Sequence, residues 1–145
     1  MARSELNVEG QQTFSPSGLG REQFRRLADF ADQAAGLSHD DLRAMVANHI
    51  GQAREVADHQ PLVNVRLASA LADAIARALA DWPMLPAHAR PWLQGAVLYF
   101  VKSADSEPDF ASPIGFEDDA SVWNACVKLA RRDDLCVRPE DFDDA

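Results

Sequence analysis

The chain has 145 residues, 47% hydrophobic and 26% charged, with 23 acidic against 14 basic side chains and a formal net charge of −9. That length suits one domain with a buried core, and the negative charge disfavours phosphate backbones and anionic bilayers, so neither nucleic-acid nor membrane-surface binding is expected. Its two cysteines, Cys126 and Cys136, fit no metal-ligand spacing, which points to a reduced protein without a zinc knuckle.

Residues 1–19 are rich in Ser, Gly, Gln and Glu with no sustained period and read as a flexible tail, with Phe14 or Leu19 available to dock. Met1 to Gly20 holds no apolar run of the kind a secretion signal needs, so a cytoplasmic protein is expected. A helical pattern starts at Arg21, with Phe24, Leu27, Ala28, Ala31 and Ala34 on one face and Gly36 as a stop. Ser38-His39-Asp40-Asp41 resembles a capping box. Leu42, Met45, Val46, His49, Ile50 and Ala53 then form a second stripe, in which His49 reads as a core histidine rather than a base or ligand.

The clearest helix spans residues 62–82, with Val63, Leu67, Leu71, Ile75, Ala78, Leu79 and Trp82 inward. Asp73, Arg77 and Asp81 lie at i, i+4 and i+8 on its wet face, where they can pair along the helix. Prolines 83, 86 and 91 punctuate the connection to a fourth helix, predicted over Pro91 to Lys102. A fifth is predicted over Asp118 to Arg132, with acids at its start and arginines at its end to match the helix dipole. Residues 133–145 carry six acidic residues against Arg138 alone and read as an acidic C-terminal tail or a short terminal helix. The prediction is all-α: a single bundle of about five helices over residues 20–132, with an αα-hairpin around an acidic Pro/Gly turn.

That turn, Asp105-Ser106-Glu107-Pro108-Asp109-Phe110 followed by Pro113-Ile114-Gly115-Phe116-Glu117-Asp118-Asp119-Ala120, is the chemically densest stretch. Its Asp105, Pro108, Asp109 and Phe110, the preceding Leu98-Tyr99-Phe100 and the following Gly115, Phe116, Asp118, Asp119 and Ala120 match a pattern. Through these residues the segment 89–130 resembles the YkvA-like family, bacterial domains of unknown function. Lys102-Ser103 stands where that family favours Ser-Pro, and Ser106, Glu107 and Glu117 stand where it usually carries apolar residues. The resemblance implies a helical core and a focus on the acidic turn; it implies no reaction.

Three functional readings follow. The first is a non-enzymatic helical binding or regulatory module with its contact face around residues 105–119. In it Glu107, Phe110, Phe116 and Glu117 touch a protein partner, and the net charge is compatible with a basic one. The second is a divalent-metal module, with hydrolysis as its extension, in which Asp105, Asp109, Asp118 and Asp119 converge on Mg²⁺, Mn²⁺ or Ca²⁺; oxygen-only ligands select those ions over zinc. The competing structural reading makes the same aspartates helix caps and turn formers, with no cofactor at all. The third, a peripheral membrane role, comes only from the resemblance, since some members of that family are linked to membranes. No nucleophile elbow, phosphate-binding loop or dinucleotide fingerprint occurs in the chain.

Overall fold

A computed structural model describes residues 15–58, 64–106 and 115–142, which form five α-helices and three 3₁₀ turns. The helices are α1 (Arg21–Ala34), α2 (His39–Ala57), α3 (Val65–Ala80), α4 (Arg90–Ser106) and α5 (Gly115–Leu129). The 3₁₀ turns are Trp82–Met84, Asp133–Leu135 and Pro139–Phe142. The all-α prediction stands: no strand occurs among the described residues, and no helix there is long and apolar enough to cross a membrane.

Local chemistry sets several helix ends. At α2, Ser38 Oγ accepts from the Asp41 N–H at 3.0 Å and the Asp41 carboxylate accepts from the Ser38 N–H at 3.0 Å, completing the predicted box. Asn64 caps α3 by accepting from the Leu67 N–H at 3.0 Å. α5 ends in a left-handed residue, Arg131, with φ of 62°. The Arg132 N–H reaches the Val127 carbonyl at 2.8 Å and the Arg131 N–H reaches Lys128 at 3.0 Å, the paired bonds of a Schellman end.

α4 is the hub. Leu93, Ala96, Val97, Leu98, Tyr99 and Phe100 are all buried, so its middle is covered on every side. It packs against α1, α2 and α5, while α3 packs on α2 and touches α5. Gly95 sets how closely α1 approaches. A Cβ built there would lie 2.8 Å from the Ala31 amide nitrogen and 2.9 Å from its Cα and Cβ, closer than any side chain tolerates.

At another contact of α4, His49 packs edge-on to Phe100 at 4.8 Å and to Phe116 at 6.1 Å, with Phe100 and Phe116 6.0 Å apart. His49 is only 4% exposed, as its place on the apolar stripe predicts.

The docking expected of Leu19 is seen in the described part of the N-terminal segment, whereas the C-terminal one departs from expectation. Of residues 1–19, only 15–19 are described, and there Pro16 is buried and Leu19 packs on the core. Of residues 133–145, those up to 142 are described, and Leu135 and Val137 are core residues at 1% and 6% exposure. The packed unit therefore continues past residue 132.

Candidate functional site

The predicted acidic cluster divides. Glu107, Asp109 and Phe110 lie outside the described residues, as does the turn that would close the αα-hairpin. Asp105 falls within the last turn of α4. Helix α5 starts three residues earlier than predicted, at Gly115, so Asp118 and Asp119 sit inside its first turns rather than at the cap. Successive helical residues are 100° apart around the axis and do not face each other, so these two carboxylates diverge. Asp119 is buried, at 3% exposure. Phe116 is fully buried, and in this packing it gives a partner no surface; Glu117 is half-buried. Among the described residues no group of three or more His, Cys, Asp or Glu side chains could hold a metal ion.

Asp118 is occupied by side chains from two other helices. Tyr99 of α4 donates its hydroxyl to Asp118 Oδ2 at 2.6 Å, and Gln23 of α1 donates its amide to Oδ1. The same Gln23 accepts from the Gly20 N–H at 2.9 Å, closing the start of α1. Arg26 sits over the Tyr99 ring, 5.1 Å from its centroid, and Phe30 meets that ring edge-on at 5.9 Å. One carboxylate thus ties α1, α4 and α5 together, with each oxygen taking a side-chain donor.

Burial, and then the hydrogen bond to Asp118, hold the Tyr99 phenol far above its ordinary value of 10.0. The neutral phenol is therefore favoured more in the folded than in the unfolded chain. Its contribution to stability is complete below the unfolded value near 10 and is lost as pH rises above it. Tyr99 is the sole tyrosine, so phenolate absorbance reports on it alone. Native protein is expected to show no phenolate signal through pH 10, the signal arriving only with alkaline unfolding. A reversible midpoint near 10 with helicity intact would contradict the buried bond.

The C-terminal segment is clasped onto α5. Asn124 donates to the Val137 carbonyl at 2.8 Å and accepts from the Val137 N–H at 2.7 Å, acting as a surrogate main chain. The Trp123 indole donates to the Leu135 carbonyl at 2.9 Å. Arg132 adds a charged staple, reaching Asp134 at 2.9 Å and Asp81 at 3.0 Å. Arg77 and Asp81, expected to pair along α3, also point outward from it, Arg77 meeting Asp134 at 3.5 Å.

Docking this segment beside α3 leaves an open groove of about 610 Å³ between them, with Arg54 of α2 at one margin. Small and apolar groups line it: Ala70 and Ala74 from α3, Leu135, Val137 and Phe142 from the segment. Arg54, Arg66, Arg77 and Arg138 line it too, alongside Asp73, Asp134 and Asp141. Arg54 donates to Ser69 Oγ at 3.4 Å, and Arg138 pairs with Glu140 at 3.1 Å. This surface is not visible in the sequence, because α3 and the C-terminal segment that line it lie more than fifty residues apart in the chain.

Two cysteines lie near these elements. Burial pushes the Cys126 thiol far up, as it does the Cys136 thiol to a lesser degree, which keeps both protonated and poorly nucleophilic at neutral pH. Comparison with protein-family models, with curated proteins and with solved structures gave no match.

Proposed function

We propose that this protein is a non-enzymatic helical binding module, and that its binding face is the groove between α3 and the C-terminal segment. The observation that carries this reading is the groove itself: a concave surface of about 610 Å³ lined by both apolar and charged side chains, of the size that peptide and ligand sites have. Of the aspartates that the sequence offers to a metal ion, Asp118 already holds Tyr99 and Gln23. The resemblance of residues 89–130 to YkvA-like domains adds no reaction to this reading. This reading puts the contact face in the groove rather than around residues 105–119, of which 107–114 lie outside the described residues.

The test is a selection of binding peptides from a displayed random library on the immobilised full chain. Ala70 is half-buried in the groove wall, and Ala70→Trp fills the space without entering the core. Selected peptides are expected to bind the unaltered protein saturably and to lose at least about tenfold in affinity on Ala70→Trp, with helicity and melting temperature retained. Peptides that bind both proteins equally would remove the groove from the reading.

A further inference from the structure

Independently of what the groove binds, we propose that residues 133–142 are an exchangeable arm: in a dimer of this chain, each copy lays its segment into the cradle of the other. The end of α5 carries the inference. Helix α5 stops at Leu129, three residues short of the Arg132 that the sequence pattern predicts. No glycine or proline stands between Leu129 and Pro139, and Ala130, Arg131 and Arg132 are all strong helix formers. The chain nonetheless leaves the helix through Arg131 at φ of 62°, in the left-handed region where a helix end ordinarily places glycine. Local sequence therefore favours continuing α5, and the docked segment is what turns the chain out of it.

The cradle holds main chain and side chains without regard to how the segment is attached. Asn124 donates to the Val137 carbonyl at 2.8 Å and accepts from its N–H at 2.7 Å, and the Trp123 indole donates to the Leu135 carbonyl at 2.9 Å. Leu135 and Val137 are buried, and Asp134 meets Arg77 of α3 at 3.5 Å. An identical segment arriving from a second copy makes every one of these contacts.

Closed and exchanged forms then differ in the hinge. The closed form keeps Arg132 on Asp81 at 3.0 Å and on Asp134 at 2.9 Å, but holds Arg131 left-handed. The exchanged form gives up those pairs, returns Arg131 to ordinary helical dihedrals and lets α5 run on through residues 130–132, carrying the arm away from its own cradle. Reciprocal exchange closes on a two-fold axis, so the assembly ends at a dimer. The tethered arm competes with an incoming one at an effective concentration on the order of millimolar, so the dimer is expected as the protein is concentrated.

The test follows the full chain by sedimentation up to about 1 mM and times its return to monomer on dilution. A dimer that reverts is expected. Arg131→Gly, which suits the left-handed hinge, is expected to lower the association constant at least about tenfold, and Arg131→Val, which resists it, to raise it by about the same factor. Both replacements remove the same exposed charge, so an effect of charge alone moves both in one direction. Asn124→Ala is expected to speed reversion at least about fivefold, since each arm must leave its cradle, while moving the association constant less than about threefold, because closed and exchanged forms lose the same bonds.

Absence of a dimer of the unaltered chain at that concentration overturns the inference. A dimer that shifts in the same direction with both Arg131 replacements, or whose reversion ignores Asn124→Ala, is built on another surface and overturns it as well. Arg131 is exposed and its side chain lies outside the core, so the hinge pair still decides the outcome if Asn124→Ala fails to fold.

Discussion

Adding one methyl group is expected to have opposite effects at two glycines of this chain. Gly95→Ala places a Cβ 2.8 Å from the Ala31 amide nitrogen and 2.9 Å from its Cα and Cβ, against main chain that cannot rotate away. Either α1 and α4 separate or the backbone bends, and overpacking of this kind costs about 1–3 kcal/mol, more where backbone is the obstacle. The gain in helix propensity on leaving glycine, about 1 kcal/mol, offsets only part of that. A net loss near 2 kcal/mol is expected, a fall of roughly 6–8 °C in melting temperature at this chain length. Gly51, in the middle of α2, is exposed, and a Cβ there meets nothing within 4 Å. Gly51→Ala is expected to raise stability by about 0.5–1 kcal/mol from propensity and unfolded-chain entropy alone. Thermal or urea unfolding of the two variants checks the sign as well as the size. Unchanged stability of Gly95→Ala would mean that the α1–α4 contact is looser than Gly95 implies, and a loss on Gly51→Ala would contradict the open space at that position.

Leu135→Ala carries the second large effect. Leu135 is 1% exposed, and its carbonyl takes the Trp123 indole N–H at 2.9 Å. Truncating a buried leucine costs about 2–5 kcal/mol, since the transfer free energy is lost and a cavity remains. Loss in the upper half of that range is expected only if the surroundings cannot collapse, and Val137, pinned through Asn124, limits that collapse. Glu140→Ala, in the same segment but exposed, removes only a surface pair with Arg138 and is expected to change stability by less than about 0.5 kcal/mol. The contrast between the two, read by chemical unfolding, separates a docked segment from a solvated tail. Equal and negligible effects would return residues 133–142 to the status of a tail.

How much of this could be read from the sequence depends on the distance over which each feature is determined. Helices α1 to α4 were legible because their information is local. The Leu67, Leu71, Ile75 and Leu79 stripe and the Ser38–Asp41 box each lie within a few turns, and all appear in the structure. The burial of His49 was legible from its place in an apolar stripe.

The start of α5 was misplaced because Gly115 reads as a turn residue by propensity. Burial of Phe116 at 0% exposure against Phe100 and His49 is a tertiary gain that outweighs it. That shift of three residues moves Asp118 and Asp119 out of cap positions. It makes Asp118 a tie between helices, which could have been suspected only from the presence of a buried tyrosine needing an acceptor.

The C-terminal segment was hidden by its own composition. Six acidic side chains in residues 133–145 give a solvated average, whereas two apolar positions, Leu135 and Val137, decide the packing. Their docking depends on Trp123 and Asn124, more than ten residues away, whose free donors carry no local signature. The groove then follows from that docking, so a reading that released the tail could not have found it.

The central claim, that the groove is where this protein binds, has a direct measurement. Amide chemical shifts of the isotope-labelled full chain would be followed while a peptide selected on the unaltered protein is titrated in. The account predicts shifts concentrated along α3 from Val65 to Arg77 and over Asp134 to Phe142, with α1 unmoved. Shifts concentrated instead around Asp105 to Asp119 would contradict it and return the binding face to the acidic turn.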